Sequence, residues 1–67
     1  MASTTPSLHT APRGQCRIIA RDRDTGVETF ERDCWDAHDA HGYIHETADD
    51  RPWMIMTVYD ERGEEVE

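Results

Sequence analysis

The segment Trp53-Met54-Ile55-Met56-Thr57-Val58-Tyr59 is the most apolar in the chain, and it constrains the fold more than any other feature. Alternation puts Trp53, Ile55, Thr57 and Tyr59 on one side and Met54, Met56 and Val58 on the other. A strand that is apolar on both faces belongs inside a sheet with a covering layer. The remainder of a 67-residue chain must therefore supply further strands and at least one element to lie over them.

Two more strands are legible upstream. Cys16, Ile18 and Ala20 alternate with Arg17, Ile19 and Arg21, the pattern of a half-buried strand. The cluster Asp22-Arg23-Asp24-Thr25-Gly26 has turn chemistry, and alternation resumes from Val27 to Arg32, which together predict a β-hairpin. Asp33 then reads as a helix N-cap with Asp36 in the capping-box position three residues on. The proline-free stretch from Cys34 to about Ala48 recurs at helical spacing, and Asp49-Asp50-Arg51-Pro52 ends it. Asp60-Glu61-Arg62-Gly63 is another turn, with Glu64 to Glu67 free to return as a short strand. The expected fold is α+β: an antiparallel sheet of three to four strands with one helix packed on one face, in the order ββαβ or ββαββ. Residues 1–14, rich in Ser, Thr, Pro and Ala, read as a disordered arm, leaving 15–67 as a single domain.

Charge decides which functions are open to such a domain. The formal net charge is −8, with no lysine present. Residues 1–21 hold three arginines and no acid, so residues 22–67 carry all fifteen acids against four arginines, a balance of −11. That excludes a basic nucleic-acid-binding module, whose affinity rests on cations neutralising phosphates. No apolar run approaches the roughly 20 residues of a membrane span, and the amino terminus lacks the apolar core of a secretory signal. A cytoplasmic protein is expected. Nothing converges on catalysis: no nucleophile motif and no Gly-rich phosphate loop follows a strand. No cofactor is implied, and the expectation is a protein that is not an enzyme.

At 100° per residue, Cys34, Ala37, His41, Ile44 and Ala48 share one face of the expected helix, with His38 and His45 beside them. Asp36, Asp39, Tyr43 and Glu46 take the opposite face, and Asp49 and Asp50 prolong the acidic surface past the end. Asp36 to Glu46 spans roughly 15 Å at 1.5 Å per residue. This is the length of about four phosphate steps along one DNA strand at roughly 3.4 Å each. A row of carboxylates at that density suits a groove lined with Arg and Lys, and Tyr43 adds a side chain of the type enriched at interfaces.

A different reading uses Cys34, His38, His41 and His45, which fall within a narrow sector of the same helix and include the metal-ligating spacing His41-x3-His45. This would make the chain a small metal-binding or regulatory module, such as an antitoxin-like adaptor. Against it, one helix rarely supplies more than two ligands to one tetrahedral metal, and no paired Cys-x2-Cys knuckle is present. Cys16 and Cys34 are expected as free thiols in a cytosolic protein, packed as small core residues.

In its small size, strong acidity, lack of lysine and ββα-first element order, the region 15–67 resembles the small phage-encoded anti-CRISPR proteins of the DNA-mimicking type. The resemblance implies a partner, the basic DNA-binding surface of a Cas protein in a type I CRISPR effector complex within the bacterial host. It also implies that Asp36, Asp39, Glu46 and neighbouring acids act as phosphate surrogates that block target DNA recognition.

Overall fold

The computed structural model describes residues 8–66, which form one helix packed on a four-stranded antiparallel sheet. The elements are β1 (Cys16–Asp22), β2 (Glu28–Cys34), α1 (Ala37–Thr47), β3 (Met54–Tyr59) and β4 (Glu65–Val66), with sheet order β2-β1-β3-β4. The expected α+β class holds, and the apolar segment is an interior strand, paired with β1 on one side and β4 on the other.

Two aspartates build the tight connections in the same way. The Asp22 carboxylate accepts the N–H groups of Asp24 and Thr25 at 2.8 and 3.0 Å, and Gly26 takes the positive φ of 76° that closes the hairpin. In the β3–β4 turn the Asp60 carboxylate accepts from Arg62 and Glu64 at 2.8 and 3.0 Å, and Gly63 takes φ 79°. Gly63 has a second reason to lack a side chain, since a Cβ there would lie 3.1 Å from Thr10 Oγ1.

β1 and β2 pair from Cys16↔Cys34 to Arg21↔Glu28, with a bulge: Ile18 faces Arg32, but Ile19 faces Phe30. Glu31 is the extra residue. As a result Glu31, Arg32 and Cys34 all serve the helix side of the sheet. Glu31 takes the Tyr43 hydroxyl and Arg51, Arg32 lies over the Tyr43 ring, and Cys34 enters the core.

The helix is shorter and differently phased than the sequence predicts. Its N-cap is Asp36, not Asp33, and Asp33 with Cys34 belongs to β2. Asp36 accepts the Asp39 N–H at 2.8 Å, while the Asp39 carboxylate accepts the Trp35 N–H at 3.4 Å. The side chain at the centre of the buried face is Ala40, at 0% exposure, flanked by Ala37, Tyr43 and Ile44 against the core. Having only a methyl group at Ala40 lets the helix lie close over Cys16, Ile18, Cys34 and Val58. His41 and Ala48, expected on the inner face, are exposed, and so are His38 and His45.

The sheet face away from the helix is partly covered as well. Ile19 points there and is only 2% exposed. Residues 8–14 run across that side: the His9 ring lies 4.5 Å from the Tyr59 ring, and its Nε2 meets Glu28 at 3.0 Å. Ala11, itself buried, donates its N–H to the Asp60 carbonyl. Arg17 ties the layers together, with two bonds to Asp33 at 2.8 and 3.2 Å, a cation–π contact with Phe30 at 4.9 Å and a bond to the Leu8 carbonyl. The disordered arm expected over 1–14 is thus corrected for its second half, which joins the folded unit; residues 1–7 lie outside the described residues. Low local hydrophobicity hid this docking, because backbone bonds and ring contacts provide it.

Candidate functional site

The acidic residues proposed from sequence separate into groups once the helix is phased correctly. Asp36 and Asp39 sit at the helix N-terminus and each accepts a backbone N–H, so part of their role is to cap. Negative charge is also favoured there by the helix dipole. Glu46 is exposed on the same flank two turns after Asp39. Asp49 and Asp50 follow the C-cap Ala48 and are exposed in the turn leading to β3.

Tyr43 does not belong to a solvent-facing stripe. It packs half-buried against the core, donates its hydroxyl to Glu31 and lies 4.8 Å beneath the Arg32 guanidinium. The hydrogen bond to Glu31, helped by burial, holds its pKa above the ordinary phenol value. Glu31 is also paired with Arg51 at 2.7 Å. An amphipathic residue with a reachable carboxylate is better satisfied at the edge of the core than in water.

Asp39 and Glu46 do come together. With Arg32, Cys34, His38, Gly42 and Tyr43 they line a shallow groove of about 270 Å³ between α1 and β2. Arg32 stands in this groove, so its charge is not purely negative, as a helix considered alone would suggest.

A second concavity, of about 440 Å³, lies at the end of the molecule where the start of β1, the helix N-terminus and the β3–β4 turn meet. Trp35, Asp36, Asp60 and Glu61 line it, with Arg62 at the same rim. Glu61 accepts the Gly14 N–H at 2.8 Å, and hydrogen bonds from the turn backbone, chiefly that of Glu64, hold the Asp60 carboxyl below its ordinary pKa. Trp35 is 78% exposed, the most exposed of the large apolar side chains among the described residues. From sequence, Asp60 and Glu61 are turn residues only and Trp35 has no assigned role. The available signal was a tryptophan between Cys34 and Asp36 that fits neither strand alternation nor the apolar helix face. Trp53 and Phe30 are also half exposed, but lie away from this end.

The structure separates the Cys/His set. Cys34 is buried on β2, whereas His38, His41 and His45 are exposed on α1; His38 borders the groove that Cys34 lines, and His41 borders a different one, with Ile44, Met56 and Val58. Among the described residues, no three His, Cys, Asp or Glu side chains are grouped so that they could hold a metal ion. Also among the described residues, no helix is long and apolar enough to cross a membrane.

Comparison with known proteins gives no relative: no protein-family profile matches the chain, and neither a curated protein nor a solved structure is significantly similar to it.

Proposed function

We propose that this chain is an inhibitory binding protein of the anti-CRISPR kind, acting in the cytoplasm of a bacterial host. Its acidic surface occupies the basic groove in which a Cas protein of a type I effector complex grips target DNA. The observation that carries the reading is Trp35, left 78% exposed beside Asp36, Asp60 and Glu61. A large apolar side chain exposed among carboxylates suits an anchor that stacks on arginine or fills a pocket while surrounding acids meet cations. Beyond this end, Asp39 and Glu46 line one groove along α1, and Asp49 and Asp50 are exposed in the turn that follows it.

A mobility-shift competition tests this. A purified type I effector complex is bound to its target duplex, and the chain is titrated in at several salt concentrations. Release of DNA at near-stoichiometric chain, weakening as salt rises, is the expected result, because opposite fields drive the association. Trp35→Ala should weaken inhibition by roughly 30-fold, the effect of an interface hot spot of about 2 kcal/mol. The triple change Glu46→Arg, Asp49→Arg and Asp50→Arg touches no capping bond and should weaken it at least as much. Unaltered DNA binding at excess chain would refute the function. Equal inhibition by both variants would refute the surface.

A further inference from the structure

Cys16 and Cys34 are the chain's two cysteines, and the fold makes them directly opposed partners on β1 and β2. Both are free, both are buried, and both belong to the core cluster beneath Ala40. Their rung closes the β1–β2 ladder, since Cys16 is the first residue of β1 and Cys34 the last of β2. Opposed residues in an antiparallel pair have Cα atoms about 4.5–5.5 Å apart and Cβ atoms at a similar separation. A disulfide accepts Cα separations of about 4.4–6.8 Å and Cβ separations near 3.8 Å. The Cα range of an opposed pair thus falls within what the bond accepts, and the Cβ atoms need to approach by roughly 0.7–1.7 Å. A terminal rung can supply that movement with little loss, because no further pairing lies beyond it.

Each thiol also has an approach from outside. Cys16 borders the 440 Å³ concavity beside Trp35, and Cys34 borders the 270 Å³ groove beneath Asp39 and Glu46. Cys16 is the more exposed of the two and faces the larger opening, which makes it the sulfur that reacts first.

We propose that Cys16 and Cys34 are a modification site, a dithiol that closes reversibly to an intramolecular disulfide by exchange with a low-molecular-weight disulfide. The Cys16 thiol loses its proton, and the thiolate attacks one sulfur of the small disulfide. A mixed disulfide forms and one small thiolate departs. The Cys34 thiol then loses its proton, and its thiolate attacks the Cys16 sulfur, releasing the second small thiolate. Two protein thiols are oxidised by two electrons, the small disulfide is reduced to two thiols, and the two protons pass to the released thiolates. Burial raises the pKa of both thiols, with nearby carboxylates adding to the effect, so the exchange is slow at neutral pH. Its rate climbs as pH rises above 7 and the thiolate fraction grows. The product staples the start of β1 to the junction of β2 and α1, next to Trp35 and Asp36. The Cβ closure leaves some strain, which keeps the bond easily reduced.

The test uses the full chain, first reduced, then incubated with oxidised glutathione. Intact mass should fall by two hydrogens with no retained glutathione, and a non-reduced tryptic digest should contain one peptide joining Cys16 to Cys34. The thermal midpoint should rise by on the order of 10 °C, as expected for closing a loop of this length in a small domain, and dithiothreitol should reverse the rise. Cys16→Ala and Cys34→Ala keep a small apolar residue in the core. Whichever of them folds by circular dichroism should show no such change in midpoint. Two glutathione adducts per chain, a disulfide-linked dimer or an inert folded chain would each overturn the proposal.

Discussion

Asp36 offers the sharpest test, because two roles meet in one side chain: it caps α1 and it contributes to the acidic surface. Asp36→Ala removes both the acceptor for the Asp39 N–H, made at 2.8 Å, and the charge at the helix N-terminus. Asp36→Asn removes only the charge, since Asn caps about as well as Asp. Loss of the cap bond costs about 1 kcal/mol, within a range of roughly 0.5–2 kcal/mol. Loss of the charge against the helix dipole adds about 0.3–1 kcal/mol at an exposed site. Asp36→Ala should therefore lose about 1.5 kcal/mol and Asp36→Asn about 0.5 kcal/mol. At about 4–8 °C per kcal/mol for a domain of this size, the alanine variant melts roughly 6–12 °C lower. Urea unfolding followed by far-ultraviolet circular dichroism, with the slope held common to all three proteins, gives the differences directly. Equal stability of Asp36→Ala and the parent would show that the cap bond contributes nothing. Equal damage from Asn and Ala would show that charge, not the hydrogen bond, stabilises the helix start. In the DNA-competition assay the order of effects changes: Asp36→Asn should weaken inhibition nearly as much as Asp36→Ala, because both remove the carboxylate.

Two further outcomes follow from other parts of the structure. Asp33→Asn weakens the two-bond grip on Arg17, which also holds the Leu8 carbonyl; it should lower stability by about 1 kcal/mol and speed tryptic cleavage after Arg13 several-fold, and an unchanged cleavage rate would contradict docking of residues 8–14. Backbone hydrogen bonds hold the Asp22 and Asp60 carboxyls below their ordinary pKa, so both turns contribute fully above the unfolded value near pH 4 and lose that contribution as pH falls through the lower folded values; urea midpoints should drop below about pH 4, and less so in Asp22→Asn, which keeps an acceptor oxygen at every pH.

The sheet was legible because alternation and turn chemistry agree at each strand: Cys16-Arg17-Ile18 leads to Asp22…Gly26, and Met54–Tyr59 leads to Asp60…Gly63. The helix frame was not, because Asp33, Asp36 and Asp39 are spaced by three and satisfy the capping pattern twice. Tertiary structure makes the choice: Asp33 is held in β2 by Arg17 across the ladder, so the cap falls to Asp36. With Cys34 in β2 the buried face centres on Ala40 rather than His41, which brings Tyr43 against the core, leaves the three histidines exposed and separates them from Cys34. The acidic flank survived in part, since Asp39 and Glu46 stay together, but the wheel could not show Arg32 arriving from β2. The docking of residues 8–14 was hidden for a related reason, since its partners lie far away in sequence at Tyr59, Glu28 and Asp60.

The extra residue in β2 has a consequence for how copies of this chain behave at high concentration. Among the described residues β2 is an edge strand, with β1 on one side and no strand on the other, the arrangement that presents backbone groups to a neighbouring molecule. Regular seven-residue strands of that kind are templates for open-ended stacking. Glu31 interrupts the regular spacing of those groups halfway along, and its carboxylate is committed to Tyr43 and Arg51. A second β2 could therefore match only half of the strand at a time. The device that brings Glu31 and Arg32 to the helix side thus also guards the chain against growth into filaments.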